Sequence, residues 1–188
     1  TGIGGFVASH LADTLIENGE TVYGSYRWFE DTSRIKHLVG HENFHMVPMD
    51  LTDQSSCLQA INKVQPDYVY HLGAQSFVSE SFDYPLATMM TNGCGTLNLL
   101  EAIRLSKQDP TILVCSSSEV YGLVEKEEVP IKETTKFNPA NPYAVSKVAA
   151  DMFGLMYYTN YGMKTIRTRF FTHTGPRRTM QSAECNFA

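Results

Sequence analysis

Tyr143 and Lys147 stand four residues apart in the segment "YAVSK". On a helix that spacing puts both side chains on one face. A free tyrosine titrates near about pH 10. A lysine ammonium beside it, with a cationic nicotinamide ring nearby, stabilises the phenolate and lowers that value. The product is a base for a sugar or alcohol hydroxyl near neutral pH. The spacing is common by chance, so its meaning depends on its surroundings. Ser116, Ser117, Ser118 and Glu119 follow the apolar run Ile112–Cys115. Open α/β sheets hold their ligands at such carboxyl ends of strands. A turn-forming serine cluster and a solvated carboxylate are the alternative use of the same residues.

A second group lies at the start of the chain. Gly2, Gly5 and Ala8 stand at the key positions of a G-x-x-G-x-x-G/A turn, with Phe6 just inside the helix it opens. Glycines let the backbone approach a pyrophosphate, and a helix N-terminus adds N–H donors and partial positive charge. Alone, the pattern also fits a tight turn. Here a helical spacing follows at once (Phe6, Val7, Leu11, Leu15 and Ile16), Gly19 stops it, and a β-rich run comes next over residues 21–26. Arg27 lies just past that run, where an acidic residue would bind the ribose 2′-hydroxyl of NAD and an arginine suits the 2′-phosphate of NADP. The expectation is NADP. Glu30 and Asp31 keep NAD open, and a solvated surface charge is the plain alternative for Arg27.

The elements that position these groups alternate. Strands are expected at residues 21–26, 43–48, 66–74 (ending in a Gly-Ala turn), 111–117 and 164–171. Helices are expected at 5–18, 54–64 (capped by Asp53), 84–106 and 142–161, and a polar loop over 123–142. Strands alternating with helices predict an α/β doubly wound parallel sheet, a Rossmann fold. Such a glycine turn normally follows a central strand, so the first strand is expected upstream of Thr1. Residues 1–170 are expected to form a dinucleotide-binding domain, and 171–188 the beginning of a nucleotide-sugar-binding lobe.

Composition bounds the rest. With 188 residues, 43% hydrophobic and 19% charged, the chain suits one compact domain rather than a disordered or fibrous protein. No apolar run is long enough to cross a bilayer. A net charge of −5 gives no general attraction to nucleic acid or anionic lipid. Cys57, Cys94, Cys115 and Cys185 are widely spaced, with no C-x-x-C pair or His/Cys cluster. This predicts reduced thiols, no metal site and a cytoplasmic location.

The motifs "TGIGGFVASHL", "MDLTD", "HLGAQS", "TNGCGTLNLLEA", "SSSEVYG" and "NPYAVSK" resemble the extended short-chain dehydrogenase/reductases that act on nucleotide sugars. The resemblance covers essentially the whole chain. Within that superfamily "GAQSFVSESFDYP", "GTLNLLEAIR", "KETTKFNPANPYAVSK" and "GPRR" are most similar to the GDP-mannose 4,6-dehydratase family. The chain departs from it at Phe6-Val7, where the family usually has Gln-Asp, and at Thr172-His173, where it usually has Asn-His.

The resemblance implies a lyase that converts GDP-mannose to GDP-4-keto-6-deoxymannose by internal hydride transfer. It implies that Tyr143 is the base and Lys147 its partner, that Ser117 bonds the sugar 4-hydroxyl, and that Glu119 takes the C5 proton. Asp50 and Leu51 would meet the adenine, and Leu72, Gly73 and Ala74 the pyrophosphate side of the cofactor. Ser76, Ser118, Arg177 and Arg178 would approach the nucleotide sugar. A homodimer or homotetramer is implied, through helices 84–106 and 142–161, with Met89, Met90, Met152 and Met156 as contacts or as ordinary core. A GDP-4-keto-6-deoxymannose reductase, a UDP-glucuronate decarboxylase and a non-catalytic dinucleotide sensor remain alternatives. Tyr143 and Lys147 count against the sensor.

Overall fold

The computed structural model describes residues 1–178. Helix α1 (Phe6–Glu17) follows the glycine turn and leads to strand β1 (Val22–Tyr26). A 3-10 turn over Ser33–Leu38, absent from the sequence expectation, precedes β2 (Phe44–Pro48). Helix α2 (Gln54–Val64) starts where predicted, because the Asp53 carboxylate accepts from the Ser55 and Ser56 amides. Strand β3 (Tyr68–His71) follows.

The expected long helix after β3 is divided. Helix α3 (Val78–Asp83) comes first, and Pro85 then opens α4 (Pro85–Met89). A π turn over Met90–Cys94 joins α4 to α5 (Gly95–Ser106). Apolar spacing cannot reveal a π turn, because inserting one residue shifts the helical face without changing composition. Strand β4 (Thr111–Cys115), helix α6 (Pro142–Tyr161) and strand β5 (Thr165–Thr168) complete the described chain. Asn141 caps α6, Pro142 occupies its first turn, and Gly162 ends it at φ +69°.

All strand pairs are parallel. Strands β1 and β2 form one piece and β3, β4 and β5, in that order, form the other. Thr1–Ile3 runs between the pieces and bonds both. The Ile3 amide donates to the Ser25 carbonyl of β1 at 3.0 Å, and the Thr1 nitrogen to the Tyr70 carbonyl of β3 at 2.7 Å. Helices α1 and α2 pack on β1 and β2, and α6 packs on β4 and β5. Ile112 and Val114 of β4 are fully buried, while Thr111, Leu113 and Cys115 are half-buried on the other face. The apolar run therefore reflects cover on both sides.

Helix α6 also buries a charge that periodicity did not reveal. Asp151 is fully buried, and its carboxylate meets Arg167 Nη1 at 2.5 Å and Arg169 Nε at 2.9 Å. Arg169 further donates to the Tyr121 hydroxyl and the Glu133 carbonyl, and lies against the Phe137 ring. One carboxylate thus joins α6, β5 and the 123–142 loop. In the full-length protein, Asp151→Ala should lower the unfolding free energy by about 3 kcal/mol, because two arginines lose their partner. Urea denaturation measures it; an unchanged midpoint would show the pairs to be incidental.

Candidate active site

The glycine turn is built by close approach. Gly2 has φ +67°, and a Cβ there would lie 2.6 Å from the Gly73 Cα. No side chain could occupy that space. The Gly5 amide donates to the Gly2 carbonyl at 2.9 Å, closing the turn onto α1. Among the described residues no side chain caps α1, so its first-turn amides keep their capacity for an anion. The turn fits a pyrophosphate for these two reasons.

The carboxyl ends of the strands gather beside it. Asp50 follows β2, and its Oδ1 accepts from the Thr52 amide and hydroxyl. Leu51 is buried, and its side chain packs close to Gly73 and Gly95. Leu72, Gly73, Ala74 and Ser76 follow β3 directly. Arg27 is exposed beyond β1, and its backbone amide donates to Glu30 Oε2 at 2.9 Å. Arg34, not singled out in the sequence, is the cation tied to the glycine turn. Its Nη1 donates to the Gly4 carbonyl and its Nε to the Arg177 carbonyl.

Beyond β4, Ser116 bonds the Lys147 carbonyl and takes no part in the catalytic group. Ser117 does. It is buried, its Oγ accepts from the Glu119 amide at 3.2 Å, and it lies near enough to Tyr143 to lower the pKa of the phenol. The Ser118 amide donates to the Phe170 carbonyl. The Glu119 carboxylate accepts from Asn141 Nδ2 at 2.9 Å. Ser117, Glu119, Tyr143 and Lys147 are therefore neighbours, as the spacing and the resemblance suggested.

Burial pushes the Tyr143 pKa up to about 12, outweighing the lowering effect of Ser117. The Lys147 ammonium donates to the Cys115 carbonyl at 2.9 Å and stands 5.9 Å from the Tyr143 ring centroid. It is itself desolvated, which lowers its own pKa.

Arg177 and Arg178 meet α1. Arg177 pairs with Asp13 at 2.7 Å, while Arg178 bonds the His173 carbonyl and lies over the Phe6 ring. The structure thus groups both arginines with the glycine-turn helix. Cys57 is a buried thiol, pushed up to about 12 by burial, and Cys94 and Cys115 are free thiols too. Cys185 lies outside the described residues. No cluster of His, Cys, Asp or Glu among the described residues could hold a metal ion.

A buried polar chain links the two halves of the site. Gly73 N–H donates to Thr1 Oγ1, and the Thr1 hydroxyl meets His71 Nδ1 at 2.9 Å. His71 Nε2 lies 2.9 Å from Thr96 Oγ1, which donates to the Asn92 carbonyl. Because both hydroxyls are committed, the network assigns the proton to Nε2 of His71. The Asn92 side chain accepts from the Gln75 amide and donates to the Gln75 carbonyl and Ser146 Oγ. Ser146 in turn donates to the Tyr143 carbonyl, and Ser81 Oγ accepts from the Tyr143 amide. Apart from Gly73 and Tyr143, these residues have no role in the sequence reading, although His71, Gln75, Asn92, Thr96 and Ser146 lie within its motifs.

The geometry agrees with comparisons to known proteins. The family model described as GDP-mannose 4,6 dehydratase matches residues 1–187. The chain belongs to the GDP-mannose 4,6 dehydratase family. The GDP-mannose 4,6-dehydratase of Vibrio cholerae is 44% identical over 188 residues, covering 95% of this chain and 50% of that protein. The chain spans about half the length of the curated relatives it matches. The structure of RMD from Pseudomonas aeruginosa, complexed with NADPH, aligns with TM-score 0.76 and 32% identity over 97% of this chain and 56% of that one. The Thermus thermophilus UDP-glucose 4-epimerase, in complex with NAD, aligns with TM-score 0.86 and 28% identity over 97% and 57%. This family member thus has the Rossmann-type α/β fold of nucleotide-sugar enzymes.

His71 gives the site a pH dependence. Burial, with positive charge nearby, pushes its pKa down to about 3 from an ordinary 6.5. The folded state keeps the ring neutral, whereas the unfolded chain takes up a proton below about pH 6.5. Stability is therefore present above that pH and is lost as pH falls towards 3. Replacing His71 by Gln should make the acid-side slope of unfolding free energy shallower by about 1.4 kcal/mol per pH unit. Urea unfolding between pH 7 and 4.5 tests this; parallel slopes would mean His71 is protonated in the fold.

Proposed function

We propose that the full-length protein is a GDP-mannose 4,6-dehydratase, acting by internal redox and elimination of water. The observation that carries the proposal is the convergence of Ser117, Glu119 and Tyr143 at the end of β4, in a chain of this family. Gly2, Gly5, Phe6, Gly73 and Ala74 are proposed to hold the cofactor pyrophosphate, and Asp50 and Leu51 the adenine. Bound NADP would supply a hydride acceptor for C4 of the sugar and a hydride donor for C6. Tyr143 takes the C4 hydroxyl proton, and Ser117 lies beside its phenol. Lys147, anchored on the Cys115 carbonyl, holds its ammonium 5.9 Å from the Tyr143 ring centroid and would meet the nicotinamide ribose. Once C4 is a ketone, the C5 proton is acidic; Glu119 takes it and passes a proton to the departing C6 hydroxyl, which leaves as water, and C5 regains a proton from solvent as C6 is reduced. Ser76, Ser118, Arg177 and Arg178 are proposed to meet the nucleotide sugar.

NADP is preferred over NAD because Arg27 follows β1 directly and Arg34 is tied to the glycine turn. Arg27→Ala should weaken NADP binding more than NAD binding. Equal dissociation constants for both cofactors in the parent would defeat this preference.

A homodimer or homotetramer in the cytoplasm is proposed. On α4–α6 and the π turn, Leu86, Met90, Val145 and Met152 are exposed, which suits an interface between copies. Met89 is half-buried, and Met156 packs on the core, so those two belong to the fold. Among the described residues no helix is long and apolar enough to cross a membrane.

The test is turnover of GDP-mannose in heavy water by full-length protein, with C5 deuterium read by mass spectrometry. Parent protein should incorporate deuterium at C5 and need no added NADPH. Tyr143→Phe should abolish turnover, and Glu119→Gln should reduce it by about 10²–10⁴. If the parent leaves GDP-mannose unchanged yet consumes NADPH with the 4-keto-6-deoxy sugar, the protein is a reductase instead.

A further inference from the structure

We infer that Asn141 is a positioning residue that sets the Glu119 carboxylate, an inference resting on the dehydratase function proposed above. Asn141 is the N-cap of α6, in extended backbone at φ −150° and ψ 163°. Its Oδ1 accepts from the Ala144 amide at 2.8 Å. That bond fixes the orientation of the side-chain amide, because an N–H group must face an oxygen. Nδ2 is thereby turned outward, and it donates to Glu119 Oε2 at 2.9 Å. A flipped amide would set its oxygen against a carboxylate and its NH₂ against the helix amide, losing both bonds.

The tether gives Glu119 a second hold. Ser117 Oγ accepts from the Glu119 amide, and Ser117 lies beside Tyr143. Asn141 holds the other end of Glu119 and is separated from Tyr143 only by Pro142, whose backbone φ is fixed by its ring. The base at the end of β4 and the phenol on α6 are thus spaced by one side chain. Glu119 is otherwise exposed, where a glutamate would sample many rotamers. The choice of an amide has a chemical reason. A lysine or arginine partner would favour the ionised carboxylate strongly and make it a weaker base, whereas an amide orients it without a full countercharge. The titratable group that faces Glu119 from α6 is Tyr143, which in turn faces Cys115 of β4 and Lys147.

Asn141→Ser and Asn141→Asp separate this role from capping, since Ser and Asp both cap helices well. Both full-length variants should keep the parent thermal midpoint. Asn141→Ser should lower kcat about threefold to tenfold at unchanged KM for GDP-mannose, with slower C5 exchange, because it removes a bond to a charged group. Asn141→Asp puts a second carboxylate against Glu119 and should move the acid limb of the kcat profile up by about one pH unit. If both variants keep the parent kcat and pH profile, Asn141 is only a cap and the inference is overturned. If the parent does not turn over GDP-mannose, the proposed function fails separately. The tether is then read by carbon-13 NMR of the Glu119 carboxyl, whose titration midpoint should rise in Asn141→Asp; an unmoved midpoint overturns it.

Discussion

The contact on which the molecule depends is the meeting of two backbones at Gly2 and Gly73. Strands β1 and β2 form one parallel piece and β3–β5 another, and Thr1–Ile3 bonds to both. A Cβ at Gly2 would sit 2.6 Å from the Gly73 Cα, so any side chain there would push the pieces apart. Gly24 of β1 is crowded in the same way, since a Cβ there would lie 2.4 Å from Ile3 Cγ1. Small residues at these points let the carboxyl ends of β1, β2, β3 and β4 share one crevice.

The catalytic side of the crevice depends on how α6 is fixed. Its start is held by Asn141, by Ser81 on α3, and by Ser146 bonded back to the Tyr143 carbonyl. Its middle is held by Asp151, buried between Arg167 and Arg169. Polar anchors give α6 a single axial setting, which apolar packing alone would leave looser. The functional groups need that definition, because proton transfer requires contact distances rather than general proximity.

Much of this was legible in the sequence, for identifiable reasons. The ends of α2 and α6 are dictated by Asp53, Asn141, Pro142 and Gly162, each acting through its own neighbours. The strand at Thr111–Cys115 announced itself by an uninterrupted apolar run. Ser117, Glu119, Tyr143 and Lys147 were found because strand ends and helix faces follow from local spacing. What was missed is long-range. Asn92 and Gln75 are 17 residues apart, Asn92 and Ser146 are 54 apart, and Arg34 and Arg177 are 143 apart. No local period encodes such pairs.

The polar chain through Asn92 makes the crevice one mechanical piece. The loop after β3, the π turn and the first turn of α6 exchange hydrogen bonds through a single buried amide. Unwinding the π turn to ordinary α-helix would rotate Asn92 about 100° around the axis and drop both sides at once. Neighbouring residues of this segment therefore cannot be deleted or inserted one at a time without dismantling the site. The extra residue of the π turn acts as a keyway: it fixes the register of a twenty-two-residue helical stretch against the loop after β3 and against helix α6.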